Sequence, residues 1–123
     1  MKKLLVTLLL CVSSSAFAEW TTIMLSPEGA LTGVDWKTLK VTGGKRQIWV
    51  LNNFLVPKDD VKSLKGLFEI DCGQKRGHFM QASMFSEGEA KGSVIPPTLK
   101  EQPWEFFAPD SNLQNIANVI CGR

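Results

Sequence analysis

Phe68-Glu69-Ile70-Asp71-Cys72 alternates apolar and acidic residues, which places Phe68, Ile70 and Cys72 on one face of an extended strand. A second segment near the end complements it. Leu113, Ala117, Ile120 and Cys121 fall at i, i+4, i+7 and i+8, one stripe of an amphipathic helix. Cys72 and Cys121 are the two cysteines that remain once an N-terminal leader is removed, and both lie on the apolar side of their segments. Two inward-facing thiols in an oxidising compartment are expected to bond to each other. The expectation is a closing helix stapled to the middle of a sheet.

The leader has the three-part layout of a secretory signal peptide: basic Lys2 and Lys3, an apolar run from Leu4 to Val12, and Ala16-Phe17-Ala18 before Glu19. Cleavage is expected between Ala18 and Glu19, giving a signal peptide over 1–18 and one domain over 19–123. The apolar run is far short of the ~20 residues that span a bilayer. Cys11 follows Leu10 where lipoprotein processing wants a small residue, so lipidation is not the favoured reading. Losing Lys2 and Lys3 leaves twelve basic against twelve acidic residues, so the formal net charge falls from +2 to zero. Nucleic-acid binding needs a basic excess to displace counterions and is not expected.

Along the rest of the chain, Trp20 to Leu25 reads as a strand and Ala30 to Asp35 as a short second one. Gly43-Gly44 joins two further arms, 38–42 and 45–54, as a hairpin. The longer arm is apolar on both faces at its middle, as a central strand would be. Val56-Pro57-Lys58-Asp59-Asp60 is expected to break the pattern before a strand over Gly66 to Cys72. Gly73 to Gly77 reads as a turn, His78 to Phe85 as its returning strand, and Pro96-Pro97 as incompatible with a central position. A last short strand is expected over 104–107. Ser111 and Gln114 fit a capping box in which each reaches the other's backbone amide, and Gly122 is expected to close the helix in a left-handed conformation. The fold class is therefore α+β: a twisted antiparallel sheet of about five to six strands with a C-terminal helix on one face.

The ordered set Glu19-Trp20, Arg46-Gln47-Ile48-Trp49-Val50, Glu69-Ile70-Asp71-Cys72, Trp104, Pro109-Asp110-Ser111 and Cys121 resembles the surface-adhesin protein E family of Gram-negative bacteria. The likeness runs from Trp20 to Cys121, and its most specific part is the tail: Trp, a few residues, Pro-x-Ser, then a helix ending in Cys. It implies a small exported or surface domain with a twisted antiparallel sheet, a C-terminal helix and one disulfide; the member that names the family is an adhesin for host matrix and serum proteins. The absence of a lipobox departs from an anchored adhesin.

Few residues offer chemistry. His78 is the one histidine, read as a surface or strand-edge residue because a triad or zinc site needs partners. Asp59-Asp60 and Glu87 with Glu89 read as solvated loop charge, with no burial to separate their pKa values. No catalytic residue, metal site or cofactor is expected. Trp20, Trp49 and Trp104 read as core or half-buried on the sheet, and Trp36 as the exposed aromatic. Lys45, Arg46, Lys75 and Arg76 sit at predicted turns, and with Trp36 they form the candidate binding patch. The expected function is a non-enzymatic module that binds a protein or glycan in the periplasm or at the outer cell surface, with a homodimer left open. The alternative is an inhibitor of a lysozyme-type hydrolase, acting through the turn from Gly73 to Gly77.

Overall fold

The structure, a computed structural model, describes residues 19–123. The leader, with Cys11 and Ala18, lies outside the described residues. Seven strands precede one helix: β1 (Thr21–Leu25), β2 (Ala30–Thr42), β3 (Lys45–Lys58), β4 (Val61–Asp71), β5 (Arg76–Phe85), β6 (Val94–Leu99), β7 (Glu105–Phe106) and α1 (Asn112–Cys121). β1 to β6 neighbour one another in chain order, all antiparallel, and β7 pairs with the opening residues of β5 while β6 pairs with its close. Short, glycine- or aspartate-bearing links produce this meander. Gly43 has φ 60° in the β2–β3 turn, and Asp59 and Asp60 have φ 52° and 62° in the β3–β4 turn. Aspartate tolerates that region because its short side chain bonds locally.

Two strands are longer than their composition suggests. β2 continues past Asp35 to Thr42, so Trp36 lies in a strand and not in a loop. The ladder to β3 is irregular between Asp35 and Lys40. There Thr38 Oγ1 donates to the Asp35 carbonyl at 2.7 Å and accepts from Trp49 N–H at 3.0 Å, while Asp35 Oδ1 accepts from Lys37 N–H at 3.1 Å. Side chains thus satisfy the amides that the bulge unpairs. β3 likewise runs through Pro57 to Lys58, with its register to β4 irregular beyond Asn53. An interrupted ladder accommodates the proline, which has no N–H to give.

The core lies on one face of the sheet, where Val34, Ile48, Val50, Phe68 and Ile70 pack with Ala117 and Ile120 of α1. Ile48, Ile70 and Ile120 are wholly inaccessible. Burying an isoleucine contributes roughly 1.5–3 kcal/mol. Gly66 has no room for a larger residue, since a Cβ there would lie 2.7 Å from the Gln81 carbonyl and 2.8 Å from the Phe79 ring. Cys72, just after β4, is bonded to Cys121 in the last turn of α1, with Cα atoms 6.0 Å apart.

At the helix start, Ser111 Oγ accepts from Gln114 N–H at 3.1 Å, while Gln114 Oε1 accepts from the amide of Asp110, not of Ser111, at 2.7 Å. The Ser111 amide instead donates to Ala108, so the glutamine serves the next free donor upstream. Gly122 has φ −77° and is not left-handed. Its N–H donates to Asn118, and that of Arg123 to Ile120, a tightened turn that satisfies the last carbonyls without chain reversal.

Candidate functional site

Side chains alternate across a strand, so the residues between the core positions line the face without a helix. By register, Lys45, Gln47, Trp49 and Leu51 of β3 stand opposite Asp71, Glu69, Leu67 and Lys65 of β4. On β5, Arg76 is opposite Asp71 and His78 opposite Glu69. The result is a polar row at the end of the sheet nearest the β4–β5 turn and an aromatic row beyond it.

His78 is buried, 4 % exposed, and not a surface residue. β7 and the segment leading into it cover this part of β5, a long-range packing that local pattern does not show. His78 Nδ1 lies 2.7 Å from the Gln102 carbonyl and Nε2 lies 2.9 Å from Glu69 Oε1. Each ring nitrogen therefore faces an oxygen, a backbone carbonyl on one side and a carboxylate on the other. Glu69 Oε2 accepts from Gln47 Nε2 at 3.1 Å. Burial alone would push the Glu69 carboxyl up. The hydrogen bonds from His78 and Gln47, with the charges of His78 and Lys45, outweigh it and hold the group below its ordinary range.

Trp104 closes this network. Its ring stacks on His78 with centroids 3.9 Å apart. Arg76 Cζ lies 4.6 Å and Lys45 Nζ 5.6 Å from the Trp104 ring centroid. Arg76 Nε also faces Asp71 Oδ2 at 3.8 Å, too far for a hydrogen bond, and it has no other partner. A second cluster repeats the chemistry. Lys65 Nζ sits 5.3 Å from the Trp49 ring and 6.0 Å from that of Trp20. Cations over indole faces are attracted by the ring quadrupole, about 0.5–1 kcal/mol at exposed sites.

Of the candidate patch, the structure brings Lys45 and Arg76 together on Trp104. Lys75 stands beside them in the β4–β5 turn with φ 56°, its carbonyl accepting from Phe107 N–H at 2.9 Å. Arg46 and Trp36 do not join them. Arg46 alternates to the core face and donates from Nη1 to the Gly43 carbonyl at 3.3 Å. Trp36 is half-buried rather than exposed, packed against the core with Arg123 Cζ 4.4 Å from its ring. Its Nε1 is buried without a partner. Because β2 continues past Asp35, alternation from Val34 puts Trp36 on the core face, and the sequence does not show that the strand continues. Lys65 between two tryptophans was missed, although alternation places Trp49 and Lys65 on this face once the β3–β4 register is known.

The site is suited to binding. Its carboxylates, Glu69 and Asp71, are turned into the histidine and arginine contacts, while Lys45 and Lys75 are exposed and Lys65 is half-buried against its tryptophans. Both nitrogens of His78 are engaged, so neither is free to act as a base or metal ligand. Among the described residues, no three His, Cys, Asp or Glu side chains converge as a metal would require.

The model of the family described as Surface-adhesin protein E matches residues 20–122. The chain belongs to that family. Its fold is similar to that of Haemophilus influenzae protein E: crystal form II matches at 14 % identity over 86 % of this chain and 89 % of that chain, with a TM-score of 0.65. Protein E from non-typeable Haemophilus influenzae matches at 13 % identity over 89 % and 79 %, with a TM-score of 0.61. No curated protein sequence matches the chain. Family membership supports an adhesin-like protein, and the shared fold is the antiparallel sheet with its closing helix. Among the described residues, no helix is long and apolar enough to cross a membrane.

Proposed function

We propose that the protein is an exported, non-enzymatic binding module whose helix-free sheet face adheres to an anionic surface of another macromolecule, protein or glycan, at the bacterial envelope or cell surface. The convergence of Lys45 and Arg76 on Trp104 carries this reading, because it gathers charge on a rigid aromatic base in a chain whose net charge after export is zero. Lys65 on Trp20 and Trp49 extends it. Membership of the surface-adhesin protein E family supports it, and so does the leader over 1–18 with cleavage after Ala18. No observation favours the hydrolase inhibitor. The turn at 72–75 is short, with Cys72 in the disulfide and Gln74 N–H bonded to Asp71 Oδ1 at 3.0 Å.

The test is binding of the mature protein to envelope, matrix and glycan arrays, beside a Lys45→Glu/Lys65→Glu variant. Wild-type protein should be retained on acidic ligands and released by salt, and the variant should lose at least tenfold in affinity, the scale of several electrostatic contacts. An array on which the wild type binds nothing, or on which charge reversal changes nothing, defeats the reading. Fractionation of tagged cells then decides between periplasm and outer surface.

A further inference from the structure

The core face is only half covered. Beside α1 lies an open trough of about 750 Å³ that crosses the sheet from Met24 on β1 to Ile95 on β6. Six strands at ~4.8 Å spacing make it roughly 24 Å long, whereas the ten-residue α1 is only ~15 Å long. Its floor includes Phe54, Leu64, Phe79 and Met84, and Leu113 and Ile116 of α1 form one wall. At its mouth Val56 is 73 % exposed, a large apolar side chain held in water.

The charge at this trough has one sign. Among the described residues, the charged side chains lining it are Glu28 and Asp59, both acidic. They stand at the same end, in the β1–β2 and β3–β4 turns. Glu28 Oε2 accepts from Asn112 Nδ2 at 3.1 Å, which leaves its other oxygen free. The neighbouring Lys62 is exposed and is not among the side chains that line the trough.

We propose that this trough is a second binding site, for an amphipathic helix bearing Lys or Arg, laid beside α1 with its apolar face on the sheet and its cations at Glu28 and Asp59. Size agrees. A helix about 10 Å across and 15 Å long displaces about 1,200 Å³, so sinking somewhat more than half of it fills the trough. An extended partner is disfavoured, because the β6 edge carries Pro96 and Pro97, which cannot donate to an added strand. A fatty-acid carboxylate would meet like charge at the mouth.

The probe is a 14-residue leucine–lysine peptide with leucines at i, i+3, i+4 and i+7, beside its leucine–glutamate counterpart and a shuffled leucine–lysine control. Calorimetry gives affinity, circular dichroism the peptide's helicity, and methyl NMR the signals of Met24 and Met84. The account expects the amphipathic lysine peptide alone to bind as a helix and move both methyl signals. It expects Glu28→Gln/Asp59→Asn to weaken that binding about three- to tenfold, as loss of two partly exposed ion pairs would. Both substitutions suit the fold: glutamine keeps the Asn112 acceptor, and asparagine tolerates the φ of Asp59. Equal binding of all three peptides, indifference to the double substitution, or methyl signals that move only with dodecylamine, with fatty acid or on self-association would each overturn the proposal.

Discussion

The two faces of the sheet solve different problems with the same strands. On the core face, β3 and β4 present Ile48, Val50, Phe68 and Ile70 to a helix that is covalently held. On the other, the intervening residues present Gln47, Trp49, Glu69 and Lys65, and no helix covers them. The open face still excludes water locally, since Leu51 is 1 % exposed and Ser63 is fully buried. There, Ser63 Oγ donates to the Glu87 carbonyl and accepts from Ala90 N–H at 3.0 Å, so the loop after β5 acts as a lid on that end. Closure by area and a covalent bond gives stability. Closure by stacked rings and paired charges gives a surface that remains available to a ligand.

The largest expected effect lies on the core face. The Cys72–Cys121 bond closes 49 residues, worth about 4 kcal/mol in the chain-entropy model, so a Cys72→Ser/Cys121→Ser variant should lose that much in chemical denaturation. Ile120→Ala, which empties a site with no exposure, should cost about 2–5 kcal/mol. If either changes stability by less than 1 kcal/mol, the helix is not the closing element described. On the open face, His78→Phe leaves Glu69 Oε1 and the Gln102 carbonyl without their ring partner and should cost about 1–3 kcal/mol.

The pH dependence follows from Glu69. A carboxyl whose folded pKa is depressed contributes stability that is fully present above its unfolded value, about 4.3, and is lost as pH falls through the lower folded value. Glu69→Gln should therefore flatten the stability profile below about pH 4.3, and an unchanged acid limb would contradict the network. Lys65→Ala should have the smallest effect, about 0.5–1 kcal/mol from the lost cation–indole contacts. A cost above 2 kcal/mol would make that lysine a structural member of the face.

The core face was legible in the sequence because periodicity speaks directly to burial. The alternation through Cys72 and the stripe ending at Cys121 name the same face from either side. Strand lengths were less legible, since β2 and β3 extend through bulges where Thr38, Asp35 and an unpaired stretch near Pro57 replace ladder bonds. The open face was least legible. His78 reads as a surface or strand-edge residue until cross-strand register sets it opposite Glu69 and the chain returns from β6 to stack Trp104 upon it. Trp36 misled for the converse reason: its charged neighbours suggest a loop, while the strand continues and alternation from Val34 turns it inward.

A crossed titration tests the separateness of the two faces most directly. Wild type, Lys45→Glu/Lys65→Glu and Glu28→Gln/Asp59→Asn are each titrated with an acidic array ligand and with the leucine–lysine helix. The account predicts that the first variant loses the acidic ligand and keeps the helix, and that the second does the reverse. Losses that fall together on both ligands, in either variant, would contradict it.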